Sequence, residues 1–131
     1  MSRLNSRVIR MLMISALLLS PFHAFAQGKV IRVRFPKGRT SIILKGIISD
    51  RAPIDYLVGA KQGQTMTLHL TSSNKLVDFR IFAADGQRLF DSAYDRVVQI
   101  PSTGDYRIRL IKTQLEARHT TSKYTLEINI R

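Results

Sequence analysis

Cysteine and tryptophan are absent from this 131-residue chain, and acidic residues are scarce, with 9 Asp and Glu against 21 Lys and Arg. Without cysteine no disulfide braces the fold, and there is no thiolate to hold zinc or act as a nucleophile. The three histidines, His23, His69 and His119, do not stand at metal-ligand spacing, so a zinc site lacks donors. Asp91 and Asp95 flank a short loop, but calcium takes about six to eight oxygens, and a solvated loop is the simpler reading. No metal or cofactor is expected. Catalytic signatures are missing too. There is no G-x-S-x-G, Glu116 and Glu127 have no reason in sequence to converge, and the aspartates sit where Asp serves turn chemistry. These absences argue against an enzyme. Sugar platforms use exposed flat aromatics. Here Phe35, Phe79, Tyr106 and Tyr124 fall in phase with inward aliphatic residues, which leaves Tyr94 and Tyr56 to stand exposed.

The apolar run near the start of the chain is too short to span a bilayer, whose hydrocarbon core is about 30 Å thick. The opening segment is a secretory leader in three parts. "MSRLNSRVIR" is positive, "MLMISALLL" is a short apolar run, and "AFA", Ala24 to Ala26, is a small-residue cleavage site. The expected organisation is a leader over residues 1–26 and one β-sandwich domain over 27–131, exported to the periplasm or secreted. Three of the 21 Lys and Arg lie in the leader, which leaves 18 against 9 acidic residues, and this net of +9 points to acidic partners, of which export makes nucleic acid the least suitable.

The exported region reads as β throughout, an all-β, antiparallel, jelly-roll-like sandwich of eight or nine strands. "IRVRF" alternates, with Ile31, Val33 and Phe35 on one face and Arg32 and Arg34 on the other. "IILKGII" is nearly continuous in apolar residues, and its pattern predicts a strand covered on both faces. "TMTLHLT" places Met66, Leu68 and Leu70 inward and Thr67 and His69 outward. Turns are expected at Gly63, at Asp85–Gly86 and at "PSTG", Pro101 to Gly104. "YRIRLI" and "YTLEINI" alternate so cleanly that a plain hairpin is predicted, with "KTQLEARHTTSK", Lys112 to Lys123, as a long insertion in it. Arg32, Arg34, Arg107 and Arg109 read as outward charges that keep the sheets soluble and discourage edge pairing.

Two segments carry a family resemblance. "VRFPKGRTSIILKGIISDRAPIDYLVGAKQGQTMTLHL" and "IPSTGDYRIRLIKTQLEARHTTSKYTLEINI" resemble the two halves of the periplasmic inhibitors of g-type lysozyme. The middle, "DFRIFAADGQRLFDSAYD", looks more like the related bacterial pre-peptidase C-terminal domains. The resemblance implies a β-sandwich that plugs the acidic cleft of a lysozyme, g-type favoured, with surface loops. It implies a Ser-Gly-x-Tyr loop, matched by Thr103, Gly104 and Tyr106, and a tyrosine after an aspartate, matched by Tyr56. It also implies two loop arginines, of which Arg118 matches the second while Gln114 stands at the first. The parity of Tyr106 with Ile108 and Leu110 points its side chain inward. The alternative reading is a non-catalytic pre-peptidase-like module that binds peptidoglycan or an anionic envelope surface.

Overall fold

The computed structural model describes residues 28–49, 52–92, 94–112 and 121–131. Among these are nine strands: β1 (Lys29–Arg32), β2 (Ser41–Ser49), β3 (Ile54–Ala60), β4 (Thr65–Ser72), β5 (Val77–Phe82), β6 (Arg88–Ser92), β7 (Asp95–Gln99), β8 (Gly104–Lys112) and β9 (Thr121–Ile130). The period-two patterns place their apolar sets inward. Met66, Leu68 and Leu70 of β4, Val77, Phe79 and Ile81 of β5, Tyr106, Ile108 and Leu110 of β8, and Tyr124, Leu126 and Ile128 of β9 are all buried. Burying each such side chain contributes roughly 1.5–3 kcal/mol. With no disulfide, this core carries the fold.

The strands form two sheets, of order β1-β3-β8-β5-β6 and β2-β9-β4-β7. The antiparallel pairs β2 with β9, β3 with β8, β4 with β7 and β5 with β6 are nested about the β5–β6 turn. A long hairpin rolled up in this way is the jelly roll expected from the sequence. One pairing departs from the antiparallel expectation. β1 lies parallel to β3, with Lys29 opposite Ile54 and Arg32 opposite Leu57.

Two local expectations are corrected. β8 and β9 do not form a hairpin, because β8 pairs with β3 and β5 while β9 pairs with β2 and β4 in the facing sheet. A two-residue turn joins neighbours in one sheet, whereas sheets packed face to face lie about 10 Å apart. The chain between Lys112 and Thr121 therefore connects the two layers and is not an insertion in a hairpin. β2 is not covered on both faces either. It is the edge of its sheet, with Ile48 buried but Ile43 and Ile47 59% and 60% exposed. Lys45 stands between these isoleucines on the outward row, where a charge discourages edge-to-edge pairing.

The outward face of the first sheet also differs from a simple solvated surface. Asp55, Arg109, Arg80 and Asp91 are successive cross-strand neighbours over β3, β8, β5 and β6. Asp55, only 5% exposed, accepts from Arg109 Nε at 2.8 Å and Nη2 at 2.9 Å and from Arg107 Nη1 at 3.2 Å. The Arg32 guanidinium grips Asp105 in a fork, at 2.6 and 2.7 Å. This hydrogen-bonded pairing holds the Asp105 carboxyl below, and Arg32 above, their ordinary ranges. The arginines taken as solubilising charges are thus largely committed to ion pairs.

Candidate functional site

Four connections and the carboxyl end of the chain meet at one end of the sandwich. The β3–β4 turn closes on Gly63, whose φ of 86° lies in the left-handed region that suits glycine. Its N–H donates to the Ile100 carbonyl at 3.0 Å, and Ile100 N–H donates to the Gln64 carbonyl at 2.8 Å. Arg131 and Thr65 exchange backbone hydrogen bonds, and Ile130 N–H donates to the Thr40 carbonyl. The β1–β2, β3–β4 and β7–β8 connections are in this way stitched to the last strand.

Thr103 and Gly104 stand at this end. The Thr103 hydroxyl oxygen accepts from the Gln62 backbone N–H at 3.0 Å. Gly104 lies so near the β5–β6 turn that a Cβ there would meet Ala84 Cβ at 2.8 Å. Tyr106 lies beneath the turn, fully buried, and its hydroxyl donates to the Ser102 carbonyl at 2.6 Å. That inward placement matches its sequence parity and makes Tyr106 the support of the turn. A cleft of about 510 Å³ opens beside Thr103 and Gly104, with Arg39 and Lys61 in its walls and Phe35, Ala60 and Ile130 beneath. The two cations were not singled out by sequence reasoning. Lone basic residues in turns look alike in sequence, and only the folded end brings these two together.

Tyr56 is placed differently from the expectation of an exposed partner contact. It is 3% exposed, and its hydroxyl bonds that of Tyr124 at 2.6 Å across the interior. The reason is strand phase, since β3 is buried at Ile54, Asp55, Tyr56 and Val58 and Tyr56 faces the opposing sheet. Burial, and then the bond to Tyr56, push the Tyr124 hydroxyl well above its ordinary range. Tyr56→Phe would leave the Tyr124 hydroxyl buried without its partner, an expected loss of about 1–3 kcal/mol. The double variant Tyr56→Phe with Tyr124→Phe should recover most of that loss, because both polar groups leave together. Denaturant unfolding of the four proteins checks this, and strictly additive losses would exclude the pairing. Tyr94, by contrast, is 61% exposed, as read from sequence.

Gln114 and Arg118 lie outside the described residues. The strand ends that flank them, Lys112 and Thr121, are at the opposite end of the sandwich from Thr103. β8 has nine residues between Gly104 and Lys112, a span of roughly 27 Å at strand rise. Tyr56 pairs with Ile108 midway along it. Thr103 and Tyr56, both implied by the resemblance, are therefore not gathered at one tip. The Asp91–Asp95 loop offers no free carboxylate pair, since Asp91 lies 3.7 Å from both Arg80 and Arg88, and Asp95 bonds His69. Among the described residues no group of three His, Cys, Asp or Glu is arranged to hold a metal ion.

No protein-family model matches the chain. It is 31% identical over 116 residues to the inhibitor of g-type lysozyme from Escherichia coli (strain K12), covering 82% of this chain and 86% of that protein. The crystal structure of PliG from Aeromonas hydrophila, a periplasmic lysozyme inhibitor of g-type lysozyme, superposes with a TM-score of 0.74 at 27% identity. It covers 81% of this chain and 100% of that one. PliG from Salmonella Typhimurium, described in the same terms, gives a TM-score of 0.59 at 28% identity, over 79% of this chain and 99% of that one. The agreement runs through both sheets and most of the described sequence, and the chain belongs to the family of inhibitors of g-type lysozyme.

Proposed function

We propose that this protein is a periplasmic, non-catalytic inhibitor of g-type lysozyme, exported by a leader cleaved between Ala26 and Gln27. The observation that carries the reading is the 31% identity to the Escherichia coli inhibitor over 82% of the chain. The chemistry fits the partner. Lysozymes hydrolyse glycosidic bonds with carboxyl groups set in a cleft, and a rigid sandwich can deliver hydroxyl and guanidinium donors to such groups from its loops. In this reading the Thr103–Gly104 turn contacts the enzyme from one end, and Arg118 with Gln114 contributes from the 113–120 connection. Tyr106 and Tyr56 act from within, Tyr106 by holding the turn and Tyr56 by tying the sheets.

Inhibition of g-, c- and i-type lysozymes by the purified exported protein tests the proposal, with peptidoglycan pull-down in parallel. Inhibition of the g-type enzyme is expected. Unchanged lysis at excess protein, with the protein retained on peptidoglycan, would favour the wall-binding module instead. Mass spectrometry of the same sample should give a chain starting at Gln27. Arg118→Ala should raise the inhibition constant at least about tenfold with folding intact, as loss of a charged interface bond does. An unchanged constant would remove Arg118 from the mechanism.

A further inference from the structure

Among the described residues, several cations on the first sheet are already neutralised by acids. Arg32, Arg80, Arg88, Arg107 and Arg109 all have carboxylate partners. Arg39 and Lys61, in the walls of the cleft beside Thr103, have no side-chain partner among the described residues. Asp105, the one acid lining that cleft among the described residues, is already held in the Arg32 fork. The cleft thus presents two unneutralised cations from two different connections, above an apolar floor of Phe35, Ala60 and Ile130.

Thr103 adds a third donor. Its oxygen already accepts the Gln62 N–H, so one lone pair is used and the hydroxyl proton remains to be given to an acceptor. A carboxylate on a short aliphatic stem matches every part of this arrangement. The stem meets the apolar floor, and the head meets an ammonium, a guanidinium and a hydroxyl.

We infer that this cleft receives an acidic side chain of the lysozyme, with Arg39 and Lys61 as specificity-determining contacts beside Thr103. The inference rests on the proposed inhibitory function and deepens it. It gives the Thr103 end its own cationic grip, in a chain that has Gln114 where the resemblance implies an arginine. Both cations are exposed in surface connections, so substituting them leaves the core untouched.

The test is inhibition of a g-type lysozyme by Arg39→Gln, Lys61→Gln and the double variant, with thermal melting of each. The double variant should raise the inhibition constant at least about tenfold and flatten its salt dependence, with an unchanged melting curve. Arg39→Lys with Lys61→Arg, which keeps both charges, should retain most of the potency. A double variant that inhibits like the parent overturns the inference while leaving the inhibitory function standing. A parent protein that does not inhibit removes both. A parallel NMR titration uses N-acetylmuramyl dipeptide, a soluble cell-wall carboxylate. Saturable shifts at Lys61 and Thr103, with inhibition unaffected by the double variant, would assign the cleft to the wall and overturn the enzyme contact.

Discussion

Gly46→Ala is expected to cost about 3 kcal/mol of stability, combining overpacking of a filled interior with strain on a buried hydrogen bond. Gly46 is on the inward row of edge strand β2, directly opposite Tyr124 of β9. The Tyr124 ring lies over the glycine, and a Cβ added there would stand 2.5 Å from the Tyr124 hydroxyl oxygen and 2.8 Å from Cζ. A long surface side chain would swing aside. Tyr124 is buried, and its hydroxyl is held by Tyr56 of the facing sheet at 2.6 Å. Relief therefore means either breaking the tyrosine bridge or lifting β2 from its sheet. For a domain of about 100 residues each kcal/mol shifts Tm by roughly 4–8 °C, so a fall of more than about 10 °C is expected in calorimetry. Removing the Tyr124 hydroxyl relieves only the nearer of these approaches, so Gly46→Ala should cost less, though not nothing, in a Tyr124→Phe background. Equal costs in the two backgrounds would show that the tyrosine does not impose the glycine.

Asp55→Ala is expected to cost about 2 kcal/mol, after discounting for the solvent reached by its partners. The carboxylate itself is almost enclosed, its side chain 6% exposed, while those of Arg107 and Arg109 are 43% and 34% exposed. Removing it deletes three N–H donations and leaves like charges facing one another. Arg109 stands directly opposite Arg80 on β5, an arrangement that is unfavourable unless acids flank it. Asp55 and Asp91 provide that flanking. The signature is therefore salt dependence: added salt should recover part of the lost melting temperature in Asp55→Ala more than it raises that of the parent protein. A variant that melts lower with no response to salt would point to packing, not to charge, as the role of Asp55.

The extent to which sequence anticipated this molecule depends on the kind of information each feature requires. Strand phase is local. "TMTLHLT" and "YRIRLI" declare their inward rows because alternate side chains project to opposite faces, and both are buried as read. Strand partners are not local. The sequences of β8 and β9 are what a hairpin would have, yet each finds its neighbours in a different sheet, because inward rows of two facing layers look the same as inward rows of one. The edge position of β2 was hidden for a related reason. An apolar strand covered on both faces and an apolar edge guarded by a single lysine differ in sequence by little more than Lys45. Tyr56 was misplaced because a tyrosine near a strand end carries no mark of whether its hydroxyl meets water or another hydroxyl.

Composition and alternation by themselves determined an all-β, disulfide-free sandwich, and the quoted segments carried the family likeness. Tertiary structure alone decided which charges are spent and which remain available. Arg107 and Arg109 are consumed by Asp55 and Arg32 by Asp105, whereas Arg39 and Lys61, beside Thr103, have no side-chain partner among the described residues. Whether a cation is neutralised depends on what lies within a few ångströms across strands, and residues far apart in the chain supply those neighbours only after the hairpin has rolled up.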